Sequence, residues 1–82
     1  MNEANIIERL RGELKIVKPK LSEDVGKDDN FRDVWGMDSL ELVEFVARIE
    51  QSFRILIPDK DLAQLFSLSS TAGYIQQRVS RV

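Results

Sequence analysis

Neither cysteine nor histidine occurs anywhere in the 82 residues. Without thiols the chain has no disulfide framework and no thiolate-bound metal. Without imidazoles it can build no Ser-His-Asp or Cys-His nucleophile and no histidine-ligated metal centre. Long apolar runs are missing as well, since no stretch approaches the roughly 20 residues that a membrane-spanning helix needs. The N-terminus lacks the basic, apolar and small-residue zones of a signal peptide, so the expected compartment is the cytoplasm, without membrane insertion. Prolines are two, Pro19 and Pro58, and they punctuate an otherwise helix-compatible chain.

A length of 82 residues argues for one domain spanning 1–82. A core of this size supplies only about 3–5 kcal/mol of net stability. The net charge of −2 hides an uneven distribution. Residues 1–21 carry five basic and three acidic side chains, residues 22–61 carry five basic and eleven acidic, and residues 62–82 carry two arginines. The middle of the chain therefore presents a negative field, which repels nucleic acid and attracts basic partners.

Residues 3–17 read as an amphipathic helix, with Ile6, Ile7, Leu10, Leu14 and Val17 on one face and Pro19 as its stop. Exposed at mid-helix, Gly12 costs about 1 kcal/mol relative to alanine. A long connection follows from Lys18 to about Val34. Loops beyond about 12–15 residues need anchors or a purpose, and Leu21, Val25 and Phe31 are the anchors available, with a turn of helix over Leu21–Val25 capped by Ser22. Asp24, Asp28, Asp29, Asn30 and Asp33 cluster in this connection without EF-hand spacing, so no metal ligands are assigned.

At Trp35-Gly36-Met37-Asp38-Ser39-Leu40 a glycine turn runs into a strong helix start. Asp38 is the expected N-cap and Glu41 completes a D-x-x-E capping box, with Met37 and Leu42 placed to form a hydrophobic staple. Ser39 then falls at the first helical position, its hydroxyl released from capping and pointing outward where backbone donors and the helix dipole favour a phosphate. Along the helix to about Phe53, the residues Leu42, Phe45, Val46, Ile49 and Phe53 share the core face. A second, narrower strip of Leu40, Val43 and Ala47 lies on another side, with Glu41, Glu44, Glu50, Arg48 and Gln51 around it. This strip either packs under the long loop or forms a docking surface with an acidic rim beside Ser39.

Pro58 then breaks the chain, and Asp59 is placed to cap a short helix through Asp61, Leu62, Ala63, Leu65 and Phe66. Ser67 offers a further cap, and Leu68, Ala72, Ile75 and Val79 give the spacing of a last helix. That helix is weakly specified, because Ser69, Ser70, Thr71 and Gly73 are poor helix formers. Tyr74 is expected to pack with its hydroxyl at the rim. The fold class is thus all-α: a small four-helix bundle with a long first loop and a short third helix.

Gly36-Met37-Asp38-Ser39-Leu40-Glu41 resembles the G-x-D-S-L-D/E signature of acyl carrier proteins. The similarity extends to Phe31-Arg32-Asp33-Val34-Trp35, with Trp35 where leucine is usual, and to Ile49-Glu50-Gln51-Ser52-Phe53 followed by Ile57-Pro58-Asp59. The resemblance implies a carrier and not an enzyme, with no catalytic residues. Ser39, beside Asp38, would bear a covalent 4′-phosphopantetheine arm taken from coenzyme A, and the arm's thiol would hold acyl groups as thioesters. It also implies that the helix beginning at Ser39 is the partner-recognition helix, which makes Leu40, Glu41, Val43, Glu44, Ala47 and Glu50 the docking residues. The implied partners are a holo-carrier-protein synthase (a phosphopantetheinyl transferase) and acyl transferases, synthases and other acyl-processing enzymes of fatty-acid, polyketide, lipid or specialised biosynthesis, acting on a monomer. Residues Leu42, Phe45, Val46, Ile49, Leu62, Phe66 and Ile75 are the ones expected to line an interior that could shelter the acyl chain. Trp35, Arg48 and Arg54 and the modest net charge depart from the common pattern of housekeeping carriers, which leaves housekeeping and specialised carriers both open, and the serine-rich last helix departs from the family's more acidic and apolar one.

Three other functions are compatible with parts of this pattern. A peptidyl or aminoacyl carrier would use the same serine, although the acidic residue before Ser39 resembles the acyl type. An unmodified helical interaction module would use the acidic helix alone. A serine enzyme would need a base, and the chain has no histidine while Asp38 is committed to capping.

Overall fold

The computed structural model describes residues 2–20 and 25–79. The anchor assigned to Leu21 and the turn capped by Ser22 lie outside the described residues, as does Asp24. Among the described residues four helices follow one another: α1 (Glu3–Val17), α2 (Ser39–Phe53), a 310 helix (Asp59–Gln64) and α3 (Leu68–Val79). No strand occurs among the described residues.

α1 begins at an N-cap that the sequence pattern did not single out. The Asn2 side chain accepts from the backbone N–H of Asn5 at 2.8 Å, satisfying one of the orphan donors of the first turn. Ile6, Ile7, Leu10 and Leu14 are buried and turn this helix onto α3 and α2. Its polar flank is fastened to α2 at two levels. Arg48 Nε lies 2.6 Å from Glu13 Oε2, and Arg9 donates to the Ser52 carbonyl at 2.6 Å while its guanidinium covers the Phe53 ring at 4.3 Å. Arg48, expected beside the docking strip, is instead an interhelical brace.

The long connection is short of regular structure but not of anchors. Val25, Phe31 and Met37 are buried with the helices, and the Phe31 ring meets Phe45 edge-on at 5.5 Å. Two backbone bonds stitch the connection to the start of α3, Phe31 N–H to the Phe66 carbonyl and Ser69 N–H to the Lys27 carbonyl, both 2.8 Å. Two of the acidic and amide side chains here serve turns. Asp29 accepts from Gly26 N–H at 2.9 Å, and Asn30 accepts from Arg32 N–H at 2.9 Å and Asp33 N–H at 3.0 Å. Gly36 has φ +63°, a left-handed conformation that glycine reaches without the Cβ penalty, and so turns the chain into the α2 cap.

α2 is buried along Phe45, Val46, Ile49 and Phe53. Leu42 packs against this core from its edge: it is half-buried and also lines a groove shared with Phe31, Met37, Leu62 and Phe66. At the other end Arg54 adopts φ 56°, ψ 48° as the C-cap, a left-handed position occupied here without glycine. The third helix is of the 310 type. Pro58 is its N-cap, and Asp59 falls within the first turn without a side-chain capping bond, correcting the role expected for Asp59.

α3 is better specified than its composition suggests. Ser70 N–H donates to Ser67 Oγ at 3.0 Å and Ser67 N–H donates to Ser70 Oγ at 3.1 Å, a reciprocal cap of the capping-box kind built from two serines. Thr71 and Ala72, among the small residues of this helix, are fully buried with Leu68 and Ile75, so small volume at these positions lets α3 pack closely on α1. Tyr74 is buried, and its hydroxyl donates to Asp61 Oδ2 at 2.7 Å, where Arg78 Nη2 also lies 2.7 Å away. This triad ties the 310 helix to α3.

Candidate functional site

The site is assembled at the N-terminus of α2. Asp38, with extended backbone angles, accepts from Glu41 N–H at 2.8 Å, and Glu41 Oε1 accepts from Asp38 N–H at 3.1 Å. Both halves of the capping box are therefore formed. The staple residue Met37 is buried, and it shares with Leu42 the wall of the groove described below. Glu41 has a second engagement: Lys18, just past the end of α1, sits 3.2 Å from each of its carboxylate oxygens.

With Asp38 doing the capping, Ser39 is the first residue of α2 and exposed. Its Oγ lies 3.5 Å from Arg32 Nη2. No carboxylate among the described residues accepts a hydrogen bond from this hydroxyl, and the Asp38 carboxylate accepts from the Glu41 amide instead. Ser39 thus presents an accessible hydroxyl at a place where helix N–H groups and a guanidinium both favour negative charge.

Next to Ser39 opens a groove of about 400 Å³. One wall consists of Phe31, Met37 and Leu42, and the other of Leu62, Ala63, Leu65 and Phe66, with Asn30, Arg32 and Ser39 also lining it. The interior residues expected to enclose an acyl chain are therefore split. Leu42, Leu62 and Phe66 face this groove, whereas Phe45, Ile49 and Ile75 are fully inaccessible in the core. Val46 is buried beside a second, shallower groove of about 280 Å³ between α2 and the 310 helix.

The second apolar strip of α2 does not pack under the loop. Leu40 is 77% exposed and Val43 59%, and Ala47 is exposed alongside them. Of the acidic residues around it, Glu44 is exposed, while Glu41 and Glu50 are half-buried and engaged. Glu50 Oε2 accepts from Ile57 N–H at 2.8 Å and so holds the chain leaving α2. Sequence reasoning missed Arg32 and Lys18. Both sit in or beside the aperiodic connection, and the only available signal was that each is a cation within reach of an acidic helix start.

Among the described residues no group of three or more acidic, histidine or cysteine side chains is placed to hold a metal. No helix among them is long and apolar enough to cross a membrane.

Comparison with known proteins agrees with this geometry. Residues 4–75 match the family model described as the phosphopantetheine attachment site. The chain is 39% identical over 83 aligned positions to an acyl carrier protein of Guillardia theta, with 98% of this chain and 99% of the relative covered. An exposed serine opening a capped helix is what a phosphodiester-linked arm requires, and the chain belongs to the acyl carrier proteins, which bear 4′-phosphopantetheine and carry acyl groups without being enzymes.

Proposed function

We propose that Ser39 is the attachment point and that the loaded arm presents acyl intermediates to enzymes of fatty-acid or a related acyl biosynthesis. The observation that carries this is the division of labour at the helix start: Asp38 caps, and Ser39 Oγ is exposed and released from capping. In the loading step Ser39 Oγ forms a bond to the phosphorus that bears the pantetheine in coenzyme A. The pyrophosphate P–O bond breaks, and 3′,5′-adenosine bisphosphate leaves with the electron pair. The serine proton goes to a base on the transferase, since none of the described residues places one against the hydroxyl. The other described serines are engaged elsewhere: Ser52 with Arg9, Ser67 and Ser70 in the α3 cap, and Ser69 with Glu3 at 3.5 Å.

Docking falls to the exposed strip of Leu40, Val43 and Ala47, with Glu44 as its freest carboxylate. Glu41 and Glu50 contribute charge to the same face while holding structure. The partners are a phosphopantetheinyl transferase and acyl-processing enzymes with basic, partly apolar surfaces, met in the cytoplasm. Intact mass after incubation with coenzyme A and a transferase tests the proposal. One phosphopantetheine should be gained, and Ser39→Ala should abolish the gain. Modification mapped to Ser22, Ser52, Ser67, Ser69, Ser70 or Ser80 would overturn it.

A further inference from the structure

Arg32 is the cation nearest the attachment hydroxyl, and its position is built by the loop. Asn30 Oδ1 accepts from the Arg32 amide at 2.9 Å, Gly36 N–H donates to the Arg32 carbonyl at 3.2 Å, and the preceding Phe31 is buried in the core. The backbone of Arg32 is therefore held on both sides while its side chain is exposed, with Nη2 3.5 Å from Ser39 Oγ. Among the described residues no carboxylate forms an ion pair with it. The two other cations near this helix start and flank, Lys18 and Arg48, are committed to Glu41 and Glu13.

We propose that Arg32 is a positioning residue that holds the phosphodiester of the arm, so that the arm leaves Ser39 along the mouth of the groove instead of projecting freely. This rests on Ser39 being the attachment point. Once Ser39 Oγ is esterified, the non-bridging phosphate oxygens lie two bonds beyond it, within reach of a guanidinium that already stands 3.5 Å from Oγ. A planar guanidinium can meet two such oxygens in parallel, and charge-assisted bonds of this kind are about twice as strong as neutral ones. The helix N-terminus that begins at Ser39 favours the same negative charge. Arg32 itself lines the groove together with Phe31, Leu42 and Phe66, so a phosphate held there starts the arm against an apolar wall.

The test uses nitrogen-labelled wild-type protein before and after loading from coenzyme A, with mass confirming one arm. On loading, the Arg32 guanidinium resonance should move and its N–H exchange should slow. The phosphorus resonance of the arm should differ between wild type and Arg32→Gln, with Arg32→Lys in between, because lysine keeps the charge and loses the two-pronged geometry. Raising salt to about 1 M, where the screening length is near 3 Å, should draw the wild-type phosphorus resonance toward that of Arg32→Gln. Melting temperatures should coincide, as the side chain is exposed. Normal loading with an unmoved Arg32 resonance overturns the inference and leaves the attachment site standing. Absence of any mass gain on the wild-type chain overturns the attachment site and this inference with it. If the transferase does not load Arg32→Gln, the wild-type comparison of unloaded and loaded protein alone decides.

Discussion

Lys18 places its ammonium 3.2 Å from the carboxylate of Glu41, and that carboxylate simultaneously receives the amide of Asp38. The end of α1 is thereby connected to the residue that precedes Ser39 through a single carboxylate. Both side chains are 26% exposed, so water screens the pair only partly.

Glu41→Ala should therefore destabilise more than Glu44→Ala, which removes an exposed charge alone. The bond that Glu41 accepts from Asp38 N–H is worth about 0.5–1.5 kcal/mol and the ion pair at most about 1 kcal/mol. Denaturant midpoints check the ranking. Lys18→Met should show only the ion-pair part, and a Lys18→Met loss as large as that of Glu41→Ala would show that the cap contributes nothing.

Along α2 the cost of truncation should follow burial and not apolarity. Ile49 is inaccessible, so Ile49→Ala should cost about 2–5 kcal/mol, enough to unfold a domain of this size. Val43 is 59% exposed, and Val43→Ala should stay within about 0.5 kcal/mol while weakening partner binding. Leu42→Ala should fall between the two. Equal melting losses at Val43 and Ile49 would refute the separation of fold from docking.

Glu44→Lys should slow arm transfer through the association rate, because rim charges steer encounter more than they hold a complex. The wild-type rate should fall as salt rises past about 0.15 M, and the reversed protein should respond less. Glu8→Lys, on an exposed side of α1, serves as the control. Equal slowing by both reversals would mean that overall charge alone is recognised.

The Asp61–Tyr74–Arg78 triad predicts a pH dependence at both extremes. The Tyr74 hydrogen bond, and then Arg78, hold the Asp61 carboxyl below its ordinary 3.8 against the opposing effect of burial. Its folded value being depressed, the stability it contributes is present above 3.8 and is lost as pH falls through the lower folded value. Burial, and then the bond to Asp61, raise Tyr74 above its ordinary 10.0, so its contribution is complete below 10.0 and is lost as pH rises through the folded value. Tyr74→Phe should lower the melting temperature at neutral pH and flatten both limbs of the pH profile.

Those elements whose signals are local were legible in the chain. α1 and α2 have the boundaries that Pro19, Asp38 and the 3.6-residue apolar period dictate. A helical wheel puts Leu42 on the core face, where it does pack, but it counts directions and not what stands opposite each one, so the groove at its exposed side was not legible. Asp59 was misassigned as a cap because Pro58, with its fixed φ, already occupies that place. Ser69, Ser70 and Thr71 read as helix breakers by composition, yet position decides: Ser70 closes the cap with Ser67, and Thr71 fits where α3 is crowded. Anchoring of the long loop by Val25 and Phe31 could be anticipated from their apolarity. Its backbone bonds to Phe66 and Ser69 could not, since hydrogen bonds between distant segments leave no period in the sequence. Arg32 and Lys18 went unnoticed for the same reason.

The bond from Phe31 N–H to the Phe66 carbonyl crosses from one wall of the groove beside Ser39 to the other. It acts as a crossbar. Any widening of the groove that parts these two residues must break this bond, which is worth about 1 kcal/mol. Opening of the groove is thus coupled to one amide, and the hydrogen-exchange rate of Phe31 becomes its gauge.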